Sequence, residues 1–120
     1  MAVRAVRGAT QVDADDRIQV LEATAELVAE VLQRNGLTPD DLISVVLTAT
    51  PDLHSEFPAY AARMAGLADV PLLSATELDV VGAMPRVIRL LAHVETDLAR
   101  AEIKHVYLRG AAALRTDLPH

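Results

Sequence analysis

Ten arginines and a single lysine, Lys104, make up the basic residues of this 120-residue sequence. Several of the arginines stand where a structural role is awkward. Arg7 closes an alternating apolar run beside Gly8, Arg89 interrupts a run of Val, Ile and Leu, and Arg115 sits among Ala and Leu. An unpaired guanidinium is very costly to bury, so Arg89 needs an anionic partner or a cleft. One reading is an internal salt bridge with one of the seventeen acids, or a stem that snorkels to solvent. The other takes the arginines as a group. At strand ends they suit a ligand bearing carboxylates or phosphates, because the planar fork pairs bidentately with such groups. Glu77, which follows Ser74-Ala75-Thr76, is either the partner of an arginine or the acceptor for a ligand hydroxyl. Tyr107, in the last β-rich segment, reads as a core residue with its hydroxyl at the edge.

The usual catalytic constellations are missing. His54, His93, His105 and His120 are scattered without the i,i+4 spacing of a metal site, and Asp52 with His54 makes only a weak loop pair. The absence of cysteine removes disulfides, thiolate metal sites and thiol nucleophiles. Five dispersed glycines form no phosphate loop, and no G-x-S-x-G element occurs. What remains is an arginine-rich site without a nucleophile or an acid–base pair. It suits binding, or a reaction that needs only positioning and electrostatic stabilisation.

The elements that must position these residues follow from patterning. Val3 to Arg7 alternates and predicts a strand ending in a loop at Gly8. Asp13 or Asp15 then caps a long helix, with Asp16 near its positive end and Ile18, Leu21, Ala25, Val28 and Leu32 as the buried stripe. Asn35-Gly36 stops that helix, and Thr38-Pro39-Asp40-Asp41 predicts a single turn. Ile43 to Thr48 has the β-branched, apolar character of a strand buried on both faces. Pro58 starts a shorter helix ending near Gly66, and Val70 to Leu73 begins a third strand running toward Glu77. Val87 to Val94 alternates and, though Leu90 and Leu91 also suit a helix, its shortness and its bounds at Pro85 and Thr96-Asp97 predict a strand; Lys104 to Leu108 predicts another, with a short tail from Gly110. The order β-α-β-α-β-β-β makes an α/β (α+β) domain. One long and one short helix lie on one face of a mixed sheet.

Composition sets the bounds. Residues 1–120 fit one domain, and 52% hydrophobic with 2% aromatic residues implies an aliphatic core. That apolar excess suggests surface covered by another subunit. A net charge of -6 and only three aromatics, Phe57, Tyr60 and Tyr107, argue against nucleic-acid binding. No stretch has the length and apolarity of a membrane span or the pattern of a signal peptide, so a cytoplasmic protein is expected.

The motifs, taken in order, resemble a known family. Arg4-Ala5-Val6-Arg7-Gly8-Ala9-Thr10, Thr48-Ala49-Thr50-Pro51-Asp52-Leu53-His54, Phe57-Pro58-Ala59, Arg63, Glu77-Leu78-Asp79-Val80, Ile88-Arg89 and His105-Val106-Tyr107-Leu108 through Leu114-Arg115 are similar to those of the monofunctional bacterial chorismate mutases of the trimeric α/β type. The all-helical chorismate mutases are unrelated. The resemblance implies a homotrimer with a pseudo-α/β-barrel core and active sites between subunits. It also implies conversion of chorismate to prephenate, on the way to phenylalanine and tyrosine, with no cofactor or metal. By position, Arg7 binds a substrate carboxylate, Glu77 accepts from the ring hydroxyl, and Arg89 contacts the ether oxygen and enolpyruvyl side chain, with Tyr107 lining the pocket. Phe57, Ala59, Arg63, Leu72, Leu73, Ser74, Leu114 and Arg115 match the surrounding wall. Tyr60 stands where a lysine can occur, Ser74 where relatives have cysteine, and Ala5 where glycine is common. The alternatives are a trimeric module that binds a carboxylate ligand without chemistry, and a trimeric deaminase-like hydrolase acting on imines.

Overall fold

The computed structural model describes residues 1–115, with side chains through Leu114. Five strands, β1 (Ala2–Gln11), β2 (Leu42–Ala49), β3 (Leu72–Thr76), β4 (Val87–Thr96) and β5 (Val106–Tyr107), form one mixed sheet in the order β3-β2-β4-β1-β5. β4 runs antiparallel to both β1 and β2, while β3 and β5 lie parallel to β2 and β1. Helix α1 (Arg17–Arg34) packs over β1 and β5, and α2 (Pro58–Ala62) over β2 and β3. Both cover the same face, where Leu27, Val31, Ala62 and Leu67 meet Val6, Leu47, Leu90, Val94 and Val106 in an aliphatic core. Among the described residues no helix is long and apolar enough to cross a membrane.

The ends of α1 are specified locally. Asp16 caps it by accepting the Gln19 N–H at 3.0 Å, and the Gln19 side chain reaches back to the Asp13 N–H at 3.0 Å. The cap is therefore Asp16, not Asp13 or Asp15. Asp15 is engaged elsewhere, accepting the N–H groups of His54 and Ser55, both at 3.0 Å. At the far end Gly36 takes φ 61°, and the Leu37 N–H returns to the Leu32 carbonyl at 2.8 Å. With the Gly36 N–H on the Gln33 carbonyl, this is the Schellman arrangement.

The buried stripe of α1 is Val20, Ala23, Thr24, Leu27, Val28 and Val31, so of the expected stripe only Val28 is buried; Ile18 is 54% exposed. Both lines follow helical spacing, roughly a quarter-turn or more apart on the cylinder, and periodicity alone does not choose between them. Gly8 chooses. A Cβ there would lie 3.1 Å from Leu27 Cδ1 and 3.3 Å from Val31 Cγ2, so the helix is pressed onto the strand at this point. Gly8 is thus a contact residue in mid-strand rather than a turn, and β1 runs on three residues further to Gln11.

Three other elements differ from expectation. β2 buries only one face, through Val45 and Leu47, while Val46 and Thr48 stay half-buried on a face that no helix among the described residues covers. β3 starts at Leu72, because Pro71 has no N–H to give a ladder, although its carbonyl accepts from Val45 at 3.0 Å. β5 has only two residues. Lys104 is excluded because the Asn35 side chain takes both its N–H, at 2.8 Å, and its carbonyl, at 2.9 Å. The segment after β5 is a 3₁₀ helix, Arg109–Arg115.

Replacing Gly8 by valine is expected to overpack the α1–β1 contact and cost about 1–3 kcal/mol. Urea unfolding midpoints of the two proteins measure the difference, and an unchanged midpoint would contradict the close approach.

Candidate active site

The sheet brings the singled-out residues together by register. Thr48 on β2 pairs with Arg89 on β4, Arg89 with Ala9 on β1, and Ala9 with Tyr107 on β5. Paired residues share a face, so these four side chains form one row across the uncovered side of the sheet. Arg7 lies in the neighbouring row, opposite Leu91. As diagonal neighbours across the β1–β4 pair, Arg7 and Arg89 start about 7–8 Å apart. Between Arg89 and Tyr107 stands only the methyl group of Ala9, and the gap opens a cleft of about 420 Å³ lined by Arg7, Val46, Thr48, Arg89, Leu91 and Tyr107.

Glu77 closes one end. Its N–H continues the β3 pairing to the Ala49 carbonyl at 2.9 Å, which sets its carboxylate beside Thr48. Thr48 Oγ1 donates to Glu77 Oε2 at 2.7 Å, and Arg89 Nε donates to both carboxylate oxygens at 3.1 Å. The anionic partner that Arg89 requires is therefore Glu77, twelve residues earlier in the chain. With the arginine side chain 44% and the glutamate 18% exposed, the pair contributes little to stability, about 0–1 kcal/mol. Its effect is directional. With Nε committed to Glu77, the terminal nitrogens of the guanidinium remain for another acceptor.

Among the described residues, Arg7 has no carboxylate within ion-pair distance. Its backbone N–H donates to His105 Nδ1 at 2.9 Å, which fixes His105 as the neutral tautomer carrying its proton on Nε2. Burial, then the Arg7 charge, holds the His105 imidazole below its ordinary pKa.

The remaining wall residues lie elsewhere in the chain. Phe57, 70% exposed, and Ser74 line a separate cleft of about 370 Å³ between the 53–58 loop and the β3 edge. Ser74 Oγ accepts the Ala59 N–H at 3.2 Å. Arg63 is exposed on the turn after α2, and Leu73, 64% exposed, points from the uncovered face. Leu72 packs against the core, and Leu114 is half-buried in the C-terminal 3₁₀ helix. The Arg115 side chain lies outside the described residues. A single chain thus gathers Arg7, Arg89, Glu77 and Tyr107, and holds Phe57, Ala59, Arg63 and Ser74 apart from them.

Asp52 is not free to be a metal ligand with His54. Its carboxylate accepts the Arg86 N–H and the Thr50 hydroxyl. No group of three metal-ligating side chains occurs among the described residues. Thr48, which fixes Glu77, escaped selection as a site residue although it opens the Thr48–His54 motif. A lone threonine in a β-branched strand carries no signal of its own. The 53–58 loop is anchored by Asp15, whose carboxyl is held below its ordinary pKa by the His54 N–H first, with burial opposing it and Ser55 adding to the lowering.

Known proteins match across nearly the whole chain. The family model described as chorismate mutase type I covers residues 3–118. Chorismate mutase AroH of Thermus thermophilus is 48% identical over 117 residues, 97% of this chain and 96% of that protein. Chorismate mutase AroH of Bacillus subtilis (strain 168) is 40% identical over 119 residues, 98% and 94% of the two. A solved chorismate mutase from Clostridium thermocellum superposes with a TM-score of 0.88 at 42% identity, over 91% of this chain and 97% of that one.

The His105 environment gives a pH dependence with a definite sign. The unfolded chain takes up a proton near pH 6.5, whereas the folded imidazole resists it until lower pH. The unfolded state therefore binds more protons in that window, and stability falls as pH drops below about 6.5. Unfolding midpoints measured from pH 7.5 to 5 are expected to show this fall and to show less of it in His105→Asn.

Proposed function

The chain belongs to the chorismate mutase type I family and acts as a chorismate mutase, an isomerase of aromatic amino-acid biosynthesis, and we propose that Arg7, Glu77 and Arg89 carry its conversion of chorismate to prephenate. The reaction is an intramolecular [3,3] rearrangement. The ether carbon–oxygen bond breaks as a new carbon–carbon bond forms, and no proton or group passes to the protein. A site without a nucleophile or an acid–base pair is adequate for it.

Two tasks remain. A flexible dianion must be held in a compact conformer, and the negative charge that grows on the ether oxygen must be met. Arg7 takes a carboxylate, Glu77 accepts from the ring hydroxyl, and Tyr107 lines the pocket. The terminal nitrogens of Arg89 face the ether oxygen and the enolpyruvyl group. Charge there is larger in the transition state than in the substrate, so a fixed guanidinium favours the former. The observation that carries this reading is the Thr48–Glu77–Arg89 chain of hydrogen bonds, with Arg7 beside it and without a carboxylate partner among the described residues. At a net charge of -6 the protein repels a dianion at long range, so the attraction is local to these arginines.

The assembly is a homotrimer in the cytoplasm, each chain contributing residues 1–120 as one domain. Val3, Leu73 and Leu91 on the uncovered sheet face are the surface another subunit would cover, which supports this reading. Phe57, Ala59, Arg63 and Ser74, remote from Arg7 within one chain, complete a neighbour's cleft, with Leu72, Leu73, Leu114 and Arg115 assigned to the same wall.

The purified protein is expected to consume chorismate and yield prephenate equally with and without a chelator, and to sediment at about three times its 12.9 kDa chain mass. Arg89→Ala is expected to keep that mass and lose at least about 10²–10³ in kcat. Near-normal turnover in this variant would remove Arg89 from the mechanism.

A further inference from the structure

Arg89 lies three residues after Arg86, where the backbone takes φ 55°, a left-handed conformation that an arginine adopts only when its surroundings impose it. Four groups impose it here. Asp52 Oδ2 accepts the Arg86 N–H at 3.0 Å, the Arg86 carbonyl accepts the Val12 N–H at 3.0 Å, and Arg86 Nε returns to the Val12 carbonyl at 2.9 Å. The fourth is Thr50, which is buried and bonds to the next residue on both sides. Its N–H goes to the Val87 carbonyl and its hydroxyl accepts the Val87 N–H, both at 3.0 Å. The hydroxyl then donates to Asp52 Oδ1 at 2.5 Å.

The last rung of the β2–β4 ladder is therefore made by a side chain in place of a carbonyl, and that side chain is tied to the carboxylate that holds the strained residue. The ring encloses the first residues of β4, and Asp52, Glu77 and Arg89 line one small cavity of about 160 Å³. We propose that Thr50 and Asp52 are positioning residues for Arg89, setting the entry of β4 so that the guanidinium meets Glu77 and the cleft. The inference rests on the role given to Arg89 above. Without the ring, Arg86 relaxes toward negative φ, the start of β4 shifts, and the guanidinium no longer stands where charge develops.

The test uses the assembled enzyme with steady-state kinetics and the ¹H–¹⁵N resonance of Arg89 Nε–H, assigned by its loss in Arg89→Lys. Asp52→Ala and Thr50→Val are expected to lower kcat by roughly tenfold or more with KM changed much less, since the lost interaction belongs to the transition state. Both shift or broaden the Arg89 resonance. Thr50→Ser, which keeps the hydroxyl, restores kcat and resonance, and Asp52→Asn falls between. Val28→Ala, a core substitution in α1, lowers the melting temperature and leaves kcat and the resonance alone. The inference is overturned if Thr50→Val retains both kcat and the resonance, or if Val28→Ala loses kcat to the same extent. If instead Arg89→Lys turns over normally, the role of Arg89 is what fails, and the resonance still decides whether the ring holds it.

Discussion

A cation that is to stabilise a charge appearing only in passing must already be in place, because any reorganisation at that moment adds to the barrier. In the role proposed for Arg89, the shared carboxylate of Glu77 meets this constraint. It takes Nε, the one guanidinium nitrogen that points back along the side chain, and leaves the terminal nitrogens aimed onward. Thr48 in turn fixes the carboxylate. An exposed ion pair of this kind adds almost nothing to folding, and its value lies in direction.

The rest of the sheet serves that pair. Placing Arg89 on a central strand gives it ladders on both sides, β1 with Arg7 and β2 with Thr48. The small side chain of Ala9 leaves room in the row, and Gly8 beneath it lets α1 press against the opposite face. One strand segment, Arg7-Gly8-Ala9, thus presents a charge, admits a helix and opens a cleft within three residues.

Much of this was legible. The alternation of Val87 to Val94, bounded by Pro85 and Thr96-Asp97, predicts β4 despite its helix-forming leucines, and the Asn35-Gly36 stop ends α1 where the structure ends it. What was not legible depends on tertiary contact. Two stripes of α1 satisfy the same spacing, and only the approach at Gly8 selects between them. The sequence offers Asp13 or Asp15 as the cap and places Asp16 just inside the helix, whereas Asp16 is the cap. Asp15 is diverted because the 53–58 loop, distant in sequence, presents two N–H groups to it. Gly8 carries the composition of a turn while serving as a packing contact. Of the residues the sheet brings together, Arg7, Glu77 and Arg89 stand out in the sequence by type and position, and Tyr107 only by resemblance. Thr48, Thr50 and His105 act by holding others, and such a role leaves no mark in residue type.

The strand bearing Arg7 pairs along its whole length with residues 87–96. During synthesis it is translated well before its partner, so its ladder waits for the chain between them. Until then an apolar edge containing Val3, Ala5 and Val6 stands open in the nascent polypeptide, where another unfinished copy on the same message is the nearest competitor. The delay is built into the strand order, and faster translation of the segment between the two strands shortens the exposure.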